Sequence, residues 1–408
     1  MNTSSIALAP PHTPAPAVAR SGLRLLESLR VGRLALRLPD GRHLHLGPGG
    51  AGQPCAEMQL ANWAPFTATW RSGDIGLAET YIAGDWSTPD LSALLQLFLA
   101  NREALETLVH GHWWGSVLHR LRHLLRRNSR RGSRRNIHAH YDLGNPFYRL
   151  WLDPTMNYSS AWFDGRRGQS LADAQQAKVA RALGECGIGR GGRLLEIGCG
   201  WGAVAQAAAA AGARVTGVTL SSEQLAYARE RLRQAGLQAE LRLQDYRDID
   251  DPPFDAVVSI EMFEAVGREY WPGFFRRMHE VLRPGGRACV QTITIRDDLF
   301  ERYARSTDFV QQYVFPGGML PCPSVFRAEA RRAGFEVVCE LAFGDDYAET
   351  LRRWRRSFGQ SEAQVRAQGF DTRFVRTWDF YLAYCEAAFA AGSTDVVQFT
   401  LRRPERSC

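Results

Sequence analysis

The sequence predicts a large α/β domain, a seven-stranded sheet covered by helices on both faces, preceded by a smaller α+β or helical unit. Three observations predict it. At 408 residues the chain exceeds one average domain. Strand and helix patterns alternate through its C-terminal two thirds in the order of a mostly parallel sheet. A run of eight arginines without an acid, residues 118–135, separates that region from a first unit of different texture.

Residues 1–20 are rich in Pro and Ala and lack the basic-then-apolar order of a secretory signal, so they read as a disordered lead-in. The first unit, residues 21–125, contains strand-like pieces at 31–39 and 66–74 and a helical pattern over 91–109. Residues 126–136 read as an Arg-rich linker. Its charge attracts phosphate on nucleic acid or on anionic lipid, or is simply a solvated face. The second domain, 137–408, has strand patterns at 193–199, 214–220, 239–245, 254–260, 287–294, 335–343 and 394–403. Helical patterns begin at Gly202 and fall at 221–236, around 274–282 and over 347–391.

No stretch approaches the roughly 18 apolar residues of a membrane-spanning helix. The net charge of +7 and the arginine run instead suit a cytoplasmic protein lying peripherally on the inner face of a membrane. Eight cysteines are scattered without CxxC pairs or histidines at metal spacing, which argues against a disulfide framework and a zinc site.

The segment LLEIGCGWG, residues 194–202, carries Glu196 and places Gly198, Gly200 and Gly202 where an apolar strand turns into a helix. Without side chains the backbone can approach a ligand and aim helix N–H groups at it. Dinucleotide folds use a similar turn. The E-x-G-x-G-x-G spacing, the lack of a second nucleotide half and Asp245 ending the third strand favour S-adenosylmethionine, in a Rossmann-like class I methyltransferase domain. The second strand ends in Thr219, Leu220 and Ser221 without an acid, so Thr219 and Gln224 are the expected ribose contacts.

Further motifs resemble one family. HYDLGNPFYRLWLD (140–153), MNYSSAWF (156–163), GVTLSSEQ (217–224), FDAVVSIEMFEAVG (254–267), YVFPGGMLP (313–321) and FGDDYAETLRRW (343–354) are similar to segments of cyclopropane-fatty-acyl-phospholipid synthases and the related mycolic-acid cyclopropane synthases. GDIGLAETYIAGDW (73–86) resembles the small N-terminal domain of the phospholipid-acting branch. The resemblance implies cofactor contacts from Tyr158, Ser159, Glu196, Gly198, Gly200, Gly202, Thr219, Leu220, Gln224, Asp245 and Tyr246. Aromatic faces can hold a sulfonium cation without offering an anion that would be alkylated.

The implied chemistry is attack of an alkene on the cofactor's methyl carbon, giving a carbocation that closes to a cyclopropane once a base removes a proton. In the resembled family that base is a bound bicarbonate held by a glutamate, a histidine and a tyrosine. Glu264 and Tyr313 are the implied glutamate and tyrosine. Gln291 stands where the family has histidine, and Ser160 where it has cysteine. Glutamine donates a hydrogen bond but carries neither charge nor a shuttled proton, so the alternative product is a methylene- or methyl-branched chain without a ring. The resemblance further implies unsaturated phospholipid as substrate and a homodimer, and the basic charge of the Arg-rich linker, with the apolar helix around LLQLFLA (94–100), makes these the expected docking elements on anionic lipid. A nucleic-acid or small-molecule methyltransferase is the reading from another class. No nucleic-acid partner is expected, because no interleaved basic and aromatic module is present and DDPPF (250–254) precedes the fourth strand instead of following it.

Overall fold

The computed structural model describes residues 15–109 and 143–405, so the arginine-rich run and the linker expected at 126–136 lie outside the described residues. Two compact units divide the chain, Met1–Gly115 and Ser116–Cys408.

In the first unit, helix α1 (Ala17–Glu27) begins inside the stretch expected to be a disordered lead-in. Strands β1 (Arg33–Arg37), β2 (His43–Leu46), β3 (Cys55–Leu60) and β4 (Trp86–Ser87) pair in the order β2-β1-β3-β4. Along β3 the side chains of Ala56, Met58 and Leu60 are buried while Cys55, Glu57 and Gln59 are exposed, the period of a half-buried strand. The expected strand at 66–74 is instead helix α2 (Ala64–Ser72), started by Pro65 in its first turn. It packs on α3 (Asp74–Ala83) so closely that a Cβ on Gly76 would come within 2.0 Å of the Ala68 carbonyl oxygen. The helical pattern at 91–109 splits into α4 (Leu91–Ala100) and α5 (Arg102–Val109). Asn101 between them accepts from the N–H groups of Arg30 and Val31 at 2.7 and 3.0 Å.

The second unit contains all seven expected strands: β5 (Arg193–Ile197), β6 (Arg214–Thr219), β7 (Glu240–Leu243), β8 (Phe254–Ile260), β9 (Leu282–Ile295), β10 (Glu336–Ala342) and β11 (Thr394–Arg402). Their order is β10-β11-β9-β8-β5-β6-β7. β5 through β9 run parallel, and β11 pairs antiparallel with both β9 and β10. The central strands β5 and β8 are buried almost throughout, as a sheet covered on both faces requires. One face packs Ala, Val and Leu from α7 (Leu171–Cys186), α8 (Ala203–Ala210) and α9 (Ser222–Gln234). The other packs an aromatic cluster, Phe263, Trp271, Phe274, Phe275, Phe326 and Phe399, contributed largely by α10 (Trp271–Val281) and α13 (Pro323–Arg332).

Short helices α6 (Asn145–Tyr148), α11 (Asp297–Tyr303) and α12 (Phe309–Tyr313) lie in the connections. The helical stretch expected over 347–391 is three helices, α14 (Gly344–Gln360), α15 (Glu362–Ala367) and α16 (Thr372–Ala390). Among the described residues no helix is long and apolar enough to cross a membrane.

The strand order reverses between β5 and β8, because the chain proceeds outward from β5 to β7 and then crosses back. In open α/β sheets ligands bind at that switch point, beyond the carboxyl ends of the strands.

Candidate active site

Beyond β5 the chain makes its glycine turn. Gly198, Gly200 and Gly202 have φ of 84°, 49° and 82°, all in the left-handed region that side chains disfavour. A Cβ on Gly198 would lie 2.9 Å from Met262, and one on Gly202 2.9 Å from Ala228, whereas a Cβ on Gly200 would meet nothing within 4 Å. The turn therefore presses against its own protein at two positions and leaves backbone bare toward open space at the third. Beside it Glu196 is buried, with Oε2 lacking a hydrogen-bond partner among the described residues. Burial pushes its carboxyl up to about 8.

β6 ends at Thr219, whose hydroxyl donates to Gln224 Oε1 at 3.2 Å, and both side chains are buried. Ser221 caps α9 by accepting from Gln224 N at 3.3 Å, and Leu220 lies between at partial exposure. Asp245, just past β7, accepts from Arg247 N at 3.0 Å and from its guanidinium at 2.8 and 2.6 Å. Tyr246 follows, its ring edge-on to Phe274 at 5.4 Å. The expected cofactor residues thus converge at the carboxyl ends of three adjacent strands.

Tyr158 and Ser159 form a further wall. The Tyr158 hydroxyl lies 2.8 Å from that of Tyr381 on α16, and its ring is flanked by Trp151 at 5.4 Å and Trp354 at 5.5 Å. The Ser159 carbonyl accepts from Gln175 Nε2 at 2.8 Å, and its hydroxyl accepts from Lys178 Nζ at 2.5 Å. Open glycine backbone, a buried carboxyl with one oxygen lacking a partner among the described residues, and an aromatic wall fit a ligand with a nucleoside, a cationic amine and a sulfonium.

Beyond β8 the chain turns at Glu261, a non-glycine residue with φ of 47°. Its carboxylate is gripped by three donors. Ser160 N and Gln291 Nε2 reach Oε1 at 2.8 and 2.7 Å, and the Tyr347 hydroxyl reaches Oε2 at 2.6 Å. Burial raises the Glu261 pKa, while Lys178, Tyr347, Ser160 N and Gln291 oppose that rise by favouring the anion. Burial and the adjacent carboxylate hold the Tyr347 hydroxyl well above its ordinary range, so it stays a donor.

Glu264 lies one turn further on. It accepts from Ile293 N, and its Oε2 is buried without a hydrogen-bond partner among the described residues. Burial first, and then the Glu261 charge, push it up to about 8. Of two carboxyls in one pocket, Glu261 is thus the better anion and Glu264 the better proton holder. A folded-state pKa raised above 4.5 confers stability that is complete at low pH and lost as pH rises through about 8. Glu264→Gln should therefore gain on the unsubstituted protein by up to about 1.4 kcal/mol per pH unit across that window. Denaturant melts at pH 5, 6.5 and 8 that stay parallel would contradict this.

Tyr313, the tyrosine expected beside Glu264, does not join the three donors on Glu261. It ends α12, 37 % exposed, with its ring 5.4 Å from Phe309, and Tyr347 of α14 supplies the hydroxyl instead. Ser160, Gln291 and Glu264 do lie in the pocket, but the first two serve Glu261, which the sequence reading passed over. Lys178 was missed as well. Both carried a faint signal: Glu261 and Glu264 are acids three apart after an apolar strand, and Lys178 interrupts the inward face of α7.

The sequence profile of the mycolic acid cyclopropane synthetase family matches residues 128–399. The chain belongs to that family. This member of it is an S-adenosylmethionine-dependent methyltransferase. It is 40% identical over 342 residues to the tuberculostearic acid methyltransferase UfaA1 of Mycobacterium tuberculosis, covering 82% of this chain and 80% of the relative. It is 32% identical over 354 residues to the cyclopropane-fatty-acyl-phospholipid synthase of Escherichia coli K12, covering 86% and 89%. Among solved structures, the mycolic acid cyclopropane synthase CmaA1 complexed with SAH and CTAB superposes with a TM-score of 0.62 at 32% identity, covering 66% of this chain and 98% of that one. These synthetase relatives confirm the expected α/β fold and the cofactor class.

Proposed function

We propose that the enzyme adds one carbon from S-adenosylmethionine to the double bond of an unsaturated phospholipid acyl chain, and that Glu261 accepts the proton released, leaving a methylene-branched chain without a ring. The observation that carries this reading is the Glu261 carboxylate, seated among Ser160 N, Gln291 Nε2 and the Tyr347 hydroxyl. Three donors converging on one carboxylate would equally suit a small anion such as the bicarbonate that the resemblance implies, and in this reading the chain supplies the anion itself. The likeness to a relative named a methyltransferase supports the same reading.

The cofactor, when bound, supplies an electrophilic methyl carbon. Gly198, Gly200, Thr219, Gln224, Asp245 and Tyr246 would hold its nucleoside end, and Tyr158 would face its sulfonium. Addition of the methyl group to one alkene carbon leaves the cation on its neighbour. A 1,2-hydride shift moves it to the methyl-bearing carbon, and Glu261 then takes one proton from the new methyl group, whose C–H electron pair forms the exomethylene double bond, so the chain gains CH2 in total. Gln291 and Tyr347 fix the carboxylate without titrating, and the buried surroundings exclude water that would quench the cation. The arginine-rich run at 118–135 is the proposed contact with anionic headgroups.

The test is incubation of purified enzyme with S-adenosylmethionine and liposomes of cis-monounsaturated phospholipid in carbonate-free buffer. The expected result is a gain of about 14 mass units with exomethylene proton signals and no need for bicarbonate. Upfield ring-methylene protons, or turnover only after bicarbonate is added, would sink the reading.

A further inference from the structure

We propose that Gln398 and Arg181 are positioning residues for this reaction: together they force the Gln291 amide to donate to Glu261, which keeps that carboxylate anionic in an apolar pocket. The proposal rests on Glu261 being the proton acceptor.

Gln291 and Gln398 face each other directly in the antiparallel pairing of β9 and β11, and neither is exposed to solvent. Arg181 Nη1 donates to Gln398 Oε1 at 2.5 Å, Gln398 Nε2 donates to Gln291 Oε1 at 3.0 Å, and Gln291 Nε2 donates to Glu261 Oε1 at 2.7 Å. Gln398 Nε2 also reaches the Lys178 carbonyl at 3.3 Å. A guanidinium only donates and a carboxylate only accepts, so the two ends of this chain dictate the direction of both amides between them. Turning either amide would set oxygen against oxygen and N–H against N–H. Each bond polarises the next, and because Arg181 is itself paired with Glu185 at 3.3 Å, what reaches Glu261 is the direction of the bonds and not a free arginine charge.

Alone, a glutamine at 291 has no preferred direction, and its carbonyl pointed at Glu261 would repel the anion. No member of the relay can carry a proton. It sets the charge state of Glu261 and leaves proton transfer to the carboxylate itself.

The other ionisable groups facing Glu261 are Lys178 from α7, Tyr347 from α14 and Glu264 from its own turn. All are retained in the test, which compares the pH profile of kcat for Gln398→Glu with that of the unsubstituted enzyme. A carboxylate at 398 accepts from both Arg181 and the Gln291 amide, turning the Gln291 oxygen toward Glu261. The expected result is an acid limb moved up by about one pH unit, a roughly tenfold loss of kcat below it, and unchanged KM for cofactor and lipid. Arg181→Gln, whose amide no longer dictates direction, should move the limb the same way and carries the test if Gln398→Glu does not fold. Folded variants with an unmoved acid limb overturn the proposal. Glu261→Gln run in parallel separates the two readings: if it keeps full turnover, Glu261 is not the acceptor, whereas an inactive Glu261→Gln beside an unmoved Gln398→Glu profile removes the relay alone.

Discussion

Glu261→Gln should lower turnover by about a thousandfold while leaving the fold and the affinity for S-adenosylhomocysteine intact. General-base catalysis is worth roughly 10²–10⁴ in rate, and glutamine keeps the shape while losing the ability to take a proton. The companion change, Glu261→Gly, removes the carboxylate and leaves Ser160 N, Gln291 Nε2 and the Tyr347 hydroxyl facing an empty space of carboxylate size. It also relieves a backbone held at φ of 47°. Adding formate or bicarbonate to Glu261→Gly should restore part of the lost rate, and neither should help Glu261→Gln, where the space is filled. Initial rates with each anion titrated in would check this. A Glu261→Gln enzyme keeping more than about a tenth of its activity would contradict a base worth that much.

The second large effect is expected at Lys178. This side chain is fully buried, and burial lowers its pKa to about 8, with Glu261, Asp153 and Glu196 opposing the fall. It is therefore the buried cation that balances the site's acids at neutral pH. Lys178→Met should raise the pKa of Glu261, because the largest influence opposing its burial is lost. Turnover should fall roughly tenfold for each pH unit below the raised pKa and recover as the pH is raised, unlike that of Glu261→Gln.

Stability carries its own sign for Lys178. With a folded value of about 8 below the ordinary 10.5, the unfolded chain binds more protons between those limits, so the native lysine makes stability increase with pH there. Lys178→Met should abolish that increase. Removing one partner of buried charges costs roughly 3–5 kcal/mol, and a denaturant melt near pH 7 that shows no loss would exclude the balancing role.

The sheet was legible because its strands are apolar runs bounded by turn residues, and all seven fell where the alternation placed them. The stretch 66–74 was misread because Thr67, Thr69 and Trp70 favour strands. Pro65 and the close packing of α2 on Gly76 decided otherwise, and only the second of these is tertiary. The glycine turn and the strand-end residues Thr219 and Asp245 were legible from local spacing alone. The acceptor was not. Which carboxylate of E-M-F-E enters the donor pocket depends on the left-handed backbone at Glu261, a conformation that no propensity assigns to glutamate. The tyrosine was misassigned for a related reason. Tyr313 and Tyr347 both lie in segments that mark the family, and only the tertiary path of the chain between β10 and β11 brings Tyr347 to Glu261. Lys178 and Gln398 belong to no motif. Their importance lies in burial, which is a property of the assembled protein.

The helices α14 and α16 are inserted between the last two strands, yet they supply Tyr347 to the acceptor and Tyr381 to the cofactor wall. α14 also pins the segment after Tyr158, since Thr350 accepts from Ala161 N at 3.1 Å and Asp346 accepts from Phe163 N at 2.7 Å. The candidate site is therefore assembled from the sheet with its glycine turn and from a helical cap that enters the chain at a single place. A change in that one stretch therefore reaches both halves of the site at once, the buried carboxylate through Tyr347 and the cofactor wall through Tyr381.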